Sequence, residues 1–199
     1  CLCDVHKAAD EKSLYLRFGE GKGIFRGGDR VRLFSEDRSF DRMFTAESSE
    51  TVSSSIVRLT LRESLPKSLP DGLLAENFSE SPDISLIRCA IGNNRPYAVS
   101  ILTRGKAEVR ECTLYSVYSA LVLGGATISE RIGGGVEDAH IEKNRFFNCS
   151  YNGGFPVRVR GEKFFSENKA VSVEKNIFVS PQRCFFSADT VQELTFCGN

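Results

Sequence analysis

The chain has no tryptophan, one methionine, two histidines and six prolines in 199 residues. It also lacks net charge, because 26 Lys and Arg are balanced by 26 Asp and Glu. That balance removes the electrostatic case for a nucleic-acid partner or an anionic membrane surface. No apolar run approaches the roughly 18 residues of a membrane span. No basic start followed by an apolar stretch marks a signal peptide. The sequence opens at Cys1 without Met, as a mature or trimmed product would. Cysteine is present seven times, but the count is odd and no C-x-x-C pair occurs. A zinc site is therefore not expected, and neither metal nor cofactor is implied. Buried free thiols acting as small apolar side chains are expected instead.

With two histidines, a nucleophilic site of the Ser-His-Asp or Cys-His kind has only His6 or His140 to use. Cys3 and His6 are an odd number of residues apart, so a strand points them to opposite faces and disfavours a dyad. His140 opens a repeated phrase and reads as solvent-facing or structural. Asp138, just before it, reads as a turn cap. "GKG" at 21–23 and "GGG" at 133–135 are not followed by the helix and Lys-Ser/Thr of a phosphate loop.

What is present points to an all-β fold. Phe is frequent, and short runs rich in Val, Ile, Phe and Thr alternate with turn residues. Five segments share one pattern: "SLIRCAI" (85–91), "EVRECTL" (108–114), "HIEKNRF" (140–146), "SVEKNIF" (172–178) and "ELTFCGN" (193–199). The second position is aliphatic throughout, from Leu86 through Val109, Ile141 and Val173 to Leu194. The fifth is Cys or Asn: Cys89, Cys112, Asn144, Asn176 and Cys197. The spacings are 23, 32, 32 and 21 residues. A second series falls between them: "YAVSIL" (97–102), "SALVLG" (119–124), "FPVRVR" (155–160) and "CFFSAD" (184–189). Each repeat thus holds at least two strands and a turn. A period in the low twenties with a fixed small or amide turn residue predicts a right-handed, single-stranded parallel β-helix over 73–199. Stacked coils would pair each strand at about 4.8 Å and let Asn bond to Asn along a ladder. The two longer spacings carry insertions at 124–138 and 148–154, the places where a solenoid grows binding loops. A β-sandwich, the rival, predicts alternation without a fixed turn residue.

The first seventy residues alternate differently. "KSLYLRF" (12–18), "GDRVRLF" (28–34), "RMFTAES" (42–48) and "SIVRLTL" (55–61) are separated by turn-rich stretches. They predict an antiparallel meander or small β-barrel inserted over 9–72, with "LPKSLPDG" (65–72) as its exit linker. "CLCDVH" then reads as an orphan strand of the β-helix over 1–8. Such a strand needs coils beneath it, so self-association through an open N-terminal coil is expected.

The order of these features resembles the C-terminal half of the bacterial α-1,3-galactosidases of glycoside hydrolase family 110. The similarity runs over about 1–180 through "DVH", "GDRVRLF", "SLIRCAIGNNRPYAVSILTRGKAEVRECTL", "SALVLGGATISERIGGGVEDAHIEKNRFFNC" and "FPVRVRG". The resemblance implies a secreted or periplasmic bacterial protein, a glycan partner with terminal α-linked galactose, and metal-free inverting hydrolysis. That chemistry uses two carboxyl groups flanking the glycosidic bond, one as acid and one as base. Several family positions differ here. Cys1 falls where the second Asp of the family's Asp pair stands. Ala126 replaces an Asp, Ile132 replaces a Glu, and Tyr97 replaces an Arg. The expectation is a carbohydrate-active protein that is catalytically incomplete as these 199 residues. The alternative is a non-catalytic glycan-binding or assembly module, which aromatic residues gathered on one face would favour. Asp4 and Glu130 are the candidate catalytic carboxylates. His6, Arg95, Arg104 and Arg131 are the candidate substrate contacts.

Overall fold

Alternation of apolar and polar residues builds the first half of the chain. The computed structural model describes all residues except 1, 19–24, 38, 80, 94–95, 125–134, 150–153, 162–167 and 180–183. It divides into two units, Cys1–Glu80 and Ser81–Asn199. Both consist of strands and turns. Among the described residues no helix is long and apolar enough to cross a membrane.

The first unit is a closed antiparallel barrel of β1 (Leu2–Ala8), β2 (Ser13–Arg17), β3 (Arg30–Phe34), β4 (Asp41–Thr51), β5 (Ile56–Leu61) and β6 (Leu74–Asn77), in the order β1-β2-β5-β4-β3-β6. Every second residue points inward: Leu14 and Leu16 from β2, Val31 and Leu33 from β3, Leu59 and Leu61 from β5. The four central strands fall where alternation predicts. Two expectations are corrected. Leu2–Ala8 is not an orphan strand of the second unit: it pairs antiparallel with β2 on one side and β6 on the other. Over Leu2–Asp4 that strand pairs with β6 and over Asp4–Ala8 with β2 within the barrel, so it is not a bare strand awaiting coils beneath it. Residues 65–72 are not an exit linker, because β6 follows them and completes the barrel. A sheet of alternating strands lowers its free energy by closing, since closure leaves no bare edge.

The second unit holds three parallel sheets. The first runs β19 (Val191–Cys197), β16 (Asn168–Glu174), β13 (Asp138–Glu142), β10 (Lys106–Arg110) and β7 (Ile84–Ile87). The second runs β17 (Ile177–Val179), β14 (Arg145–Phe147), β11 (Thr113–Tyr115) and β8 (Ala90–Ile91). The third runs β18 (Phe186–Ala188), β15 (Val157–Val159), β12 (Ser119–Leu123) and β9 (Tyr97–Ile101). The chain visits the three sheets in strict rotation. Each of the first four repeated phrases is therefore two strands in two sheets, not one. The division is a left-handed residue followed by the Cys or Asn: Arg88 before Cys89, Glu111 before Cys112, Lys143 before Asn144, Lys175 before Asn176, with φ between +53° and +56°. The interspersed series is the third sheet, as predicted, with Leu121 between Val99 and Val157.

Register confirms four of the five aligned phrases: Ser85, Glu108, His140 and Ser172 are neighbours in turn. The fifth is displaced by two residues. Ser172 meets Thr195, and Val173 meets Phe196 rather than Leu194. Leu194 and Phe196 lie on the same face of a strand, so the apolar pattern alone does not separate the two registers. The turn does: Gly198 takes the left-handed slot at φ 65° and Asn199, not Cys197, takes the ladder position. Cys197 is exposed.

Amides join the strands along that column, buried at Asn144 and Asn176 and exposed at Asn199. Asn144 Oδ1 accepts from the Cys112 N–H at 2.9 Å, Asn176 Oδ1 from the Asn144 N–H at 2.9 Å, and Asn199 Oδ1 from the Asn176 N–H at 3.0 Å. Their Nδ2 groups donate to the carbonyls of Val109, Ile141 and Val173. The backbone groups that the bend frees are thereby satisfied. Phe146 stacks on Phe178 at 5.0 Å inside the same unit.

Candidate functional site

Two places gather functional chemistry, one in each unit. The first lies where β1 leaves β6. Pairing with β6 ends at Asp4↔Leu74, and Val5 donates its N–H to Leu73 O at 2.8 Å. On the other edge Val5 opposes Leu16 and Lys7 opposes Tyr15, so His6 is an extra residue in a bulge. Bulges re-aim a side chain, and His6 is exposed while Cys3 is buried in the barrel core. The Cys3–His6 dyad is thus separated by the strand itself. From His6 onward the strand faces the segment 66–72, whose Pro66 and Pro70 cannot donate to a ladder. The gap is a cleft of about 320 Å³. Its polar groups are His6, Lys7, Lys67 and Asp71, with Leu69 on its apolar side. Lys7 also lies over the Tyr15 ring, 5.4 Å from its centre. Two ammonium groups against one carboxylate leave the cleft weakly cationic. Among the described residues Asp71 is the one carboxylate lining it, so they supply no acid and base pair for glycoside hydrolysis there.

Asp4 sits two residues before His6 on β1, half-buried between Leu74 and Arg17, outside the cleft lining. Arg104 belongs to the other unit, half-buried in the turn between β9 and β10. Beside it Thr103 Oγ1 donates to Pro82 O at 2.7 Å, and Lys106 donates its N–H to Asp83 Oδ1 at 2.8 Å. Arg95, Glu130 and Arg131 lie outside the described residues. His140 is solvent-facing, with Nε2 3.1 Å from Asp138 Oδ1. Asp138 is the first residue of β13 rather than a turn cap.

The second place was not singled out in the sequence. It spans the outward face of the second sheet and the turn into the third. Tyr115, Phe147 and Val179 form one cross-strand row, and Thr113, Arg145 and Ile177 form the next. The side chains between the rows, Leu114 and Phe146, are fully buried, so both rows point out. Phe147 is 38% exposed and Ile177 61% exposed, a high value for such apolar groups. The Arg145 guanidinium lies 5.9 Å from the Phe147 ring centre. Tyr115 packs over Gly92, where an added Cβ would meet its ring at 2.2 Å. At the adjoining turn the rings of Tyr97 and Tyr118 meet at 6.0 Å, inclined by 50°. Tyr97, Tyr115 and Tyr118 are each half-buried. The signal available in the sequence was the outward position of each repeat, three residues after its Cys or Asn in the ladder column. It is aromatic or aliphatic in three repeats where a solvated face would carry a polar residue.

The ionisable groups with displaced pKa values are structural. Asp37 is drawn down to about 2, first by a hydrogen bond from Ser35 and then by those from Ser39. Hydrogen bonds from Lys143 and Lys175 lower Glu142, and one from Lys169 lowers Glu137. Burial raises the Cys112 and Cys149 thiols. Every carboxyl group displaced in this way is held ionised, the opposite of what a general acid needs. No protein-family model and no curated protein matches the chain.

Proposed function

We propose that the chain is a glycan-binding part of a carbohydrate-active protein, and that its second unit is a right-handed parallel β-helix. The rotation of the strands through three parallel sheets supports that reading of the fold. So does the amide column that links successive visits to the same bend. Parallel crossovers are right-handed in nearly all proteins. The resemblance to α-1,3-galactosidases supports a glycan ending in α-linked galactose as the ligand and a secreted or periplasmic setting.

The observation that carries binding is the aromatic row of Tyr115 and Phe147, with the Arg145 guanidinium beside it. The C–H face of a pyranose stacks on such rings, and a guanidinium donates to sugar hydroxyls. Hydrolysis draws no comparable support, because the described cleft has a single carboxylate.

The test is titration with an α-1,3-galactosyl oligosaccharide by calorimetry or chemical-shift mapping. Saturable binding is expected. Phe147→Ala and Tyr115→Ala should each weaken it by about tenfold or more, while His6→Ala leaves it unchanged. Absence of binding overturns the proposal. Binding that His6→Ala abolishes and Tyr115→Ala spares would move the site to the barrel cleft.

A further inference from the structure

The ladder column that holds Asn at three positions holds Cys at two. Ile87 and Arg110 are register partners, as are Ala90 and Thr113, so Cys89 and Cys112 stand at equivalent places in neighbouring bends. The spacing of paired strands, about 4.8 Å, lies inside the Cα range of a disulfide. The Cys89 N–H donates to Cys112 Sγ at 3.4 Å, as the Asn144 N–H donates to Asn176 Oδ1. Their remaining contacts are weak sulfur contacts to the carbonyls of Ile87, Leu86 and Arg110 at 3.2–3.4 Å. Cys89 is half-buried and reachable, whereas Cys112 is 2% exposed. The pair thus has an outer thiol and an inner one.

We propose that Cys89 and Cys112 form a reversible dithiol–disulfide site whose co-reactant is a small disulfide such as glutathione disulfide. The Cys89 thiolate attacks one sulfur of that disulfide. A mixed disulfide forms, and one glutathione thiolate leaves and takes up a proton. Cys112 then gives its proton to solvent, and its thiolate attacks the Cys89 sulfur. The Cys89–Cys112 bond forms as the second glutathione departs. The protein loses two hydrogens and two electrons, and glutathione disulfide gains both to become two thiols. Burial holds the inner thiol protonated, so the second step quickens as pH rises.

The experiment incubates the full chain with glutathione disulfide, quenches with acid and maps the cysteines by mass spectrometry. Trypsin separates Cys89 from Cys112 at Arg104, Lys106 and Arg110. The wild type should yield the two peptides linked, with two hydrogens fewer, and dithiothreitol should part them. Cys112→Ser should leave Cys89 trapped as the glutathione adduct, and Cys89→Ser should leave Cys112 unmodified. The exposed Cys184 and Cys197 serve as reactive controls. A wild-type chain with glutathione on Cys89 and no linked pair overturns the proposal. So does a chain in which Cys184 and Cys197 react while Cys89 and Cys112 stay free. Both outcomes are read on the wild type, independently of how the variants fold.

Discussion

Single residues in this protein owe their roles to backbone positions as much as to side-chain chemistry. Gly92 shows this most directly. It stands where Tyr115 needs room, and any Cβ there collides with the ring. Gly92→Ala should therefore turn Tyr115 out of its place, lowering glycan affinity by about tenfold while the thermal midpoint moves little. Titration beside a melting curve separates the two effects. Asp37 shows the electrostatic side. Ser35 Oγ donates to its carboxylate at 2.6 Å, and Ser39 donates through both its N–H and its Oγ. Its folded pKa of about 2 lies below the ordinary 3.8. A depressed carboxylate pKa adds stability that is present above the unfolded value and is lost as pH falls through the folded one. Asp37→Asn should thus lower the urea midpoint near neutrality, and the gap to the wild type should close as pH falls from about 4 toward 2. A gap independent of pH would contradict the assignment.

At the scale of elements, the bend between the first and second sheets is the device that repeats. Its residue types follow from two demands. One residue must take φ near +55°, a conformation that costs non-glycine residues about 1 kcal/mol or more. The next must satisfy backbone groups of its neighbours from inside the protein. Asn does both jobs of the second kind, accepting through Oδ1 and donating through Nδ2. Asn144→Ala would orphan the Cys112 N–H and the Val109 carbonyl in a buried setting. A loss of about 2–4 kcal/mol is expected from chemical denaturation. Asn199→Ala, at the exposed end of the column, should cost about 1 kcal/mol. Equal losses at both positions would argue that the column does not act through burial.

At the scale of the whole molecule, two separate cores support two kinds of surface, and neither described site carries hydrolytic machinery. Incubation with an α-1,3-galactosyl glycan should release no galactose. Turnover by these 199 residues would require a carboxylate pair away from the cleft. Much of the architecture was legible in the sequence, because period-2 alternation and a fixed Cys or Asn are local signals. The four central barrel strands, the third parallel sheet and four of the five ladder positions follow from them. The features that were not legible are those that depend on distant partners. Leu2–Ala8 alternates like any strand, and only its pairing with both β2 and β6 makes it a stave of the barrel. The register of the last strand turned on Gly198 and Asn199, since a shift by two keeps every side chain on its face. Asp4 and His6 are two residues apart, yet the bulge and the end of the β6 pairing put His6 on a cleft and leave Asp4 beside Leu74. The row of Tyr115, Phe147 and Val179 exists only once strands 32 residues apart are in register. The sequence by itself determined the strands, their period and the residues that turn the chain. Tertiary structure alone decided which edges meet and which side chains share a surface, because hydrogen-bonded pairing between remote segments has no local signature.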